Sequence, residues 1–265
     1  MPRISVITIN YNNREGLANT IQSVAAQNYN DYEYIIIDGG SNDGSKEVID
    51  SYADTITYWV SEADKGIYNA MNKGIRKAKG DYVLFLNSGD ELDNEHSLSE
   101  AVKHIDDTDF IVFDIRLIAP DKTERLKTHP QLLNFYYLFN SNIAHQSLLI
   151  KHSLFESIGL YDETLKIMSD WKFNILAMFK HNASYKSVNY SLSRFMLDGV
   201  SSLPAYRNIV DKERESILKN EFSQYYDDYI KLNPTYYISA KRSKNIYIRK
   251  VQTFFSKIVI LLSKY

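Results

Sequence analysis

The strongest constraint on this chain is a repeated change of hydrophobic period in its first ninety residues. Arg3–Ile9 (RISVITI), Tyr32–Ile37 (YEYIII), Thr55–Val60 (TITYWV) and Asp81–Leu86 (DYVLFL) are short, near-continuous apolar runs of strand type. Between the first two, Leu17, Ile21, Val24 and Ala25 recur at helical spacing. Between the last two, Lys65 to Lys79 carries Ile67, Ala70, Met71, Gly74, Ile75 and Ala78 on one helical face. A strand that is apolar on both sides must be covered on both sides, and amphipathic helices between such strands supply the cover. The pattern predicts an α/β fold, doubly wound at its N-terminus, with a mostly parallel Rossmann-like sheet and helices on both faces.

Further along, Phe110–Ile118, Gln146–Lys151 and Lys186–Arg194 read as strands, and Ser169–Phe179 reads as a helix with Trp171, Ile175 and Met178/Phe179 on its apolar side. Ala119 to Asn142 has loop and aromatic character. With five Pro and ten Gly in 265 residues there is no flexible tether between halves. At 44% hydrophobic and 24% charged residues, the composition is that of a packed globular protein and excludes disorder of the whole. The net charge of −2 offers no global basic field, so nucleic acid is not an expected partner. The absence of cysteine excludes disulfides, thiolate metal sites and cysteine nucleophiles. The start of the chain lacks a secretory signal pattern, and no 18-residue apolar run is present, so a cytoplasmic location is expected.

The charge is uneven. From Tyr229 onward there are eight Lys or Arg and no Asp or Glu, whereas the first 228 residues hold 23 basic and 33 acidic side chains, a net of −10. From Ile246, Val251, Phe254/Phe255, Ile258 and Leu261/Leu262 form a helical stripe, flanked every seven residues by Lys250, Lys257 and Lys264. Such a basic, amphipathic tail predicts peripheral contact with an anionic membrane face, or packing on the body or on a second copy as a homo-oligomer.

Polar residues gather where the first four strands stop: Asn10, Asp38, Asp64 just beyond the third, and Asp90. In an open parallel sheet, ligands bind outside the carboxyl ends of the strands. Turn and helix-cap preferences explain one or two of these residues, but four at matched positions exceed that need. The first strand is followed by Asn10-Tyr11-Asn12-Asn13, not by G-x-G-x-x-G, and no P-loop is present. Dinucleotide enzymes and P-loop NTPases are therefore disfavoured.

Residues 4–45 (ISVITINYNNREGLANTIQSVAAQNYNDYEYIIIDGGSNDGS) resemble the opening of inverting family 2 glycosyltransferases of the GT-A fold, and residues 61–90 (SEADKGIYNAMNKGIRKAKGDYVLFLNSGD) resemble its continuation. The version is that of bacterial polysaccharide enzymes of the colanic-acid and O-antigen type. Residues 142–179 (NIAHQSLLIKHSLFESIGLYDETLKIMSDWKFNILAMF) are similar to the acceptor half. The resemblance implies a catalytic domain over residues 1–205, with a nucleotide-binding half to about 118 and an acceptor half from 119. A helical extension, residues 206–265, would follow.

The same resemblance implies roles. Asn10 and Tyr11 approach the nucleotide base, Asp38 binds the uridine part, and Asp64 lies near base and ribose. Asn69 and Lys73, in GIYNAMNKG, reach the nucleotide or sugar. Asp90 matches the last carboxylate of the D-x-D element, the ligand of a divalent Mn or Mg ion, and Asn87 stands where the first Asp would be. Asp170, opening a helix, matches the general base that deprotonates the acceptor hydroxyl. Trp171 either stacks on a sugar ring or packs in the core. His145 touches the diphosphate, metal or acceptor, or is structural, and Arg194 offsets diphosphate charge or lies on the surface. The implied activity is transfer of a sugar from a nucleotide sugar, by family weight a UDP-sugar, to a hydroxyl of a glycan or lipid-linked glycan, with inversion. A catalytically silent nucleotide-sugar-binding scaffold is the alternative from another class.

Overall fold

The computed structural model describes residues 3–197 and 206–232. Its strands are β1 (Ile4–Asn10), β2 (Tyr32–Asp38), β3 (Tyr58–Ser61), β4 (Tyr82–Phe85), β5 (Glu91–Leu92), β6 (Phe110–Ile118), β7 (Glu124–Lys127), β8 (Leu148–Lys151) and β9 (Tyr185–Met196). Its helices are α1 (Arg14–Ala25), α2 (Ser45–Ser51), α3 (Ile67–Lys77), α4 (Ser97–Val102), α5 (Phe135–Asn140), α6 (Ser153–Ser157), α7 (Ser169–Phe179), α8 (Arg207–Glu221) and α9 (Ser223–Leu232).

The strands form one mixed sheet in the order β3-β2-β1-β4-β8-β6-β9-β5, with β7 beside β6. The four-strand block predicted from the apolar runs is parallel, with β1 between β2 and β4 and β3 outside β2. Every residue of β1 is buried, because helices cover both faces. One face packs Ile4, Val6, Tyr34, Ile36 and Leu84 with Leu17, Ile21 and Val24 of α1. On α3, a Cβ at Gly74 would lie 2.5 Å from Cγ2 of Ile7, so this helix–strand approach requires glycine.

Two features depart from a parallel reading, and both matter for the site. β8 is antiparallel to β4, pairing Val83 with Ile150 and Tyr82 with Lys151. The start of β8 therefore lies beside the end of β4, at the edge where the parallel strands finish. The 119–142 stretch also contains β7 and α5. β7 (ERLK) is largely exposed and has no period-2 alternation to betray it, and α5 is a short aromatic helix capped by Asn134, whose side chain accepts from Tyr137 N–H at 2.8 Å.

The chain divides into two compact units, with the break at Asp211–Lys212. In the second, Ile217, Leu218, Phe222 and Tyr226 are buried, and Lys219 pairs with Glu215 at 2.7 Å. The basic stripe from Ile246 lies outside the described residues. Among the described residues no helix is long and apolar enough to cross a membrane.

Candidate active site

The parallel register aligns Asn10 with Asp38, and Asp38 with Ser61, at the carboxyl edge of the sheet. Asn10 donates through Nδ2 to Asp38 Oδ1 at 2.7 Å and to Ser41 Oγ at 3.2 Å. Asp38 also receives the Ser41 N–H at 2.9 Å and the Ser41 and Ser61 hydroxyls at 2.5 Å each. Burial pushes this carboxyl up, but the donors from Ser41, Ser61 and Asn10 outweigh it and hold Asp38 below the usual range. Asp38, for which the resemblance implies contact with the uridine part, is fully buried and accepts from Asn10, Ser41 and Ser61. It locks three strand ends together.

The open face beside this lock belongs to Tyr11, Gly39 and Asp64. Tyr11 is 68% exposed. A Cβ at Gly39 would lie 3.1 Å from the Tyr11 ring and 3.2 Å from Asp64 Oδ2, so the glycine keeps the space between them clear. Asp64 pairs with Lys73 at 2.6 Å, and Lys73 also reaches Glu62 at 2.8 Å. Desolvation lowers the Lys73 ammonium, yet the two carboxylates outweigh it and hold it above its ordinary value. Asn69, expected to face the nucleotide, donates instead to Glu163 Oε2 at 2.8 Å and accepts from Lys65 N–H.

The 87–90 turn closes beside β8. Gly89 takes a left-handed φ of 101°, which a side chain would resist. Its N–H donates to Thr20 Oγ1 at 2.9 Å. Asp90 Oδ2 accepts from the Asn87 N–H at 3.0 Å and from Gln146 Nε2 at 2.8 Å. Gln146 is in turn fixed by the Ser193 hydroxyl on its carbonyl at 2.6 Å. Asn87 Nδ2 meets His145 Nε2 at 3.0 Å, which leaves Asn87 Oδ1 buried with no hydrogen-bond partner among the described residues. Among the described residues no three His, Cys, Asp or Glu side chains converge as a metal cage. A carboxylate and an unsatisfied amide oxygen nevertheless fit a hard cation that keeps few protein ligands and takes the rest from phosphate and water.

Asp170 opens α7 and is 7% exposed. Its Oδ1 accepts from Trp171 N–H at 2.8 Å and from the Tyr68 hydroxyl at 3.2 Å, whereas among the described residues Oδ2 meets only His145 Nδ1, at 3.4 Å. Because His145 Nε2 faces the Asn87 amide donor, the network places the imidazole proton on Nδ1, toward Asp170. Burial, then the Asp170 charge, push the Tyr68 and Tyr161 hydroxyls well above their ordinary range, so both stay protonated. Asp162 and Glu163, the nearby carboxylates, are otherwise engaged. Asp162 holds Lys172 and Thr164, and Glu163 takes both Asn69 and Asn72.

The structure thus joins Asp170, His145, Asn87 and Asp90 in one chain of hydrogen bonds, with Gln146 behind it. For Trp171 and Arg194 the structure shows the structural alternative. Trp171 is 0% exposed and its indole N–H donates to Leu138 O at 2.8 Å, so its ring is part of the core and offers no face to a sugar. Arg194 is held by Glu124 at 2.7 Å, in a network with Arg116 and Asp93, and reaches none of the clustered carboxylates. Tyr68, Asn72 and Gln146 were missed. The signal for Asn72 was available: an amide on the apolar face of an amphipathic helix, four residues from Tyr68, needs buried partners.

The fold and these side chains define an α/β protein whose polar cluster lies at the carboxyl ends of parallel strands, with a cation-compatible turn and a carboxylate at a helix start. The chain belongs to glycosyl transferase family 2, whose model matches residues 5–169, and is a glycosyltransferase of GT-A fold. It is 34% identical over 182 residues to an uncharacterized glycosyltransferase of Mycobacterium tuberculosis, 66% of this chain and 69% of that protein. A PGL/p-HBAD biosynthesis glycosyltransferase of Mycobacterium bovis is 28% identical over 180 residues, again 66% of this chain and 69% of that one. Among solved structures, Staphylococcus aureus TarS 1–349 in complex with UDP-GlcNAc aligns with a TM-score of 0.66 at 18% identity, covering 83% of this chain and 67% of that 1–349 chain. The mannosyltransferase PcManGT of Pyrobaculum calidifontis, in complex with GDP-Man and Mn2+, aligns with a TM-score of 0.60 at 14% identity over 98% of this chain and 81% of that one.

Proposed function

We propose that the protein transfers one sugar from a UDP-sugar to a hydroxyl of a glycan or lipid-linked glycan in a single displacement that inverts the anomeric centre. The observation that carries this reading is Asp170 Oδ2, a buried carboxylate oxygen whose only hydrogen-bond partner among the described residues is His145 at 3.4 Å, at one end of the chain leading to Asp90. A sugar hydroxyl is a weak nucleophile, and Oδ2 is the oxygen with capacity to take its proton as the new bond forms. The Nδ1–H of His145 steadies the carboxylate on the side facing the donor. Asp90 and Asn87 Oδ1 would hold a Mn or Mg ion. When bound, such an ion supplies Lewis-acid neutralisation of the departing diphosphate. Tyr11, with Gly39 keeping the space open, offers its ring to the base, and Asp64 and Lys73 flank the ribose and phosphates.

The UDP preference is drawn from the fold likeness to TarS, crystallised with UDP-GlcNAc. The basic, acid-free stretch from Tyr229 supports a peripheral contact with the cytoplasmic face of a membrane, where a lipid-linked acceptor would sit. The test is a donor screen over UDP-glucose, UDP-galactose, UDP-GlcNAc and GDP-mannose that follows nucleotide diphosphate release with and without Mn2+. Metal-dependent release from a UDP-sugar is expected. Tight UDP binding with no release from any donor would favour the silent scaffold.

A further inference from the structure

α3 carries two sets of groups, and only one faces the donor. Lys73 points toward Asp64 and Glu62. Tyr68, Asn69 and Asn72 point toward the segment that delivers the base. Asn72 is 1% exposed; its Nδ2 donates to Tyr161 O and Glu163 Oε1, and its Oδ1 accepts from Tyr161 N–H. This seats residues 161–163 on α3. Tyr68, one turn earlier, is 5% exposed and donates its hydroxyl to Ile167 O and Asp170 Oδ1. Its ring is packed on Tyr161 with centroids 5.7 Å apart, so the hydroxyl is delivered from a fixed position.

The geometry points to Tyr68 as the positioning residue for Asp170. The hydroxyl spans the backbone just before α7 and the carboxylate at its start, and so fixes both the approach of the helix and the rotation of the side chain. With Oδ1 committed to Tyr68 and Trp171 N–H, Oδ2 is the oxygen turned toward the acceptor. This inference rests on Asp170 being the base.

The test is Tyr68→Phe, which keeps the ring packing and removes one oxygen. The first measurement is hydrolysis of the fastest of UDP-glucose, UDP-galactose, UDP-GlcNAc and GDP-mannose, followed by nucleotide release across pH 5 to 9. The expected results are a kcat lower by about 10- to 100-fold and a donor KM within about twofold. In an Asp170→Asn background the same substitution should cost nothing further, because Tyr68 acts through the carboxylate. The second measurement is a crystal structure of Tyr68→Phe, expected to show the Asp170 side chain rotated away from its present orientation. Unchanged kcat, or an unmoved Asp170, would overturn the proposal. If Asp170→Asn itself turns over normally, the base assignment fails instead, and the crystal structure still decides whether Tyr68 orients that side chain.

Discussion

Replacing Asn72 with alanine should cost about 4 kcal/mol of folding stability and cripple turnover at the same time. Asn72 donates to Tyr161 O at 2.9 Å and to Glu163 Oε1 at 2.8 Å, and accepts from Tyr161 N–H at 3.0 Å. The two neutral bonds are worth about 1 kcal/mol each and the bond to the carboxylate about 1.5–3 kcal/mol. Alanine brings no polar group to replace the amide, so the Tyr161 N–H is left buried without its acceptor, while Glu163 is exposed and its bond counts at the lower end, which puts the total at about 4 kcal/mol. Set against a typical total of about 5–15 kcal/mol, the variant remains folded but is visibly weakened. Urea denaturation followed by tryptophan fluorescence reads the change. With an m-value of about 2 kcal/mol/M the midpoint should fall by about 2 M. Nucleotide release should fall too, because the 161–163 turn leads into α7. A loss below about 1 kcal/mol would show that the amide network is not what seats the acceptor half on α3.

Two further outcomes follow from individual side chains. Asp90→Asn keeps shape and removes charge; Mn2+-dependent UDP binding by calorimetry should weaken at least tenfold, and unchanged metal-dependent affinity would move the cation elsewhere. His129 is buried, and desolvation, then Lys127, depress its pKa from 6.5 to about 4. It stays neutral in the folded protein, while the unfolded chain takes up a proton below about pH 6.5. Stability should therefore fall between pH 6.5 and 4, by about 3 kcal/mol from this residue. His129→Gln should remove that part of the acid slope in denaturation curves at pH 7 and 4.5, and an identical slope would refute it.

What the sequence made legible was local. The runs at 3–9, 32–37 and 81–86 match β1, β2 and β4 to within about a residue because their apolar residues are continuous and bounded by polar turns. The alignment of Asn10 with Asp38 follows from strands that end on those residues. The remainder depends on pairings distant in sequence. Nothing local announces that β8 runs antiparallel beside β4, yet that pairing brings Gln146 to Asp90 across 56 positions. Period alone could not separate a sugar-stacking Trp171 from a buried one, since both sit on the apolar face of α7. Arg194 looked free for a diphosphate only because Glu124, its partner, lies on β7, a strand without a hydrophobic signature. The donors on Asp38 come from Ser61 at the end of β3 and from Ser41 in the loop after β2, a convergence that the sequence does not announce.

If Asp170 accepts the proton in a single displacement on a nucleotide sugar, Asp170→Asn must lose turnover and keep its nucleotide. The amide keeps the side-chain shape and cannot take a proton. With the donor that the screen identifies, kcat for nucleotide release should fall by about 10²–10⁴, while the dissociation constant for UDP with Mn2+ stays within about twofold of the parent. Near-normal turnover in Asp170→Asn, with UDP affinity intact, would contradict the account.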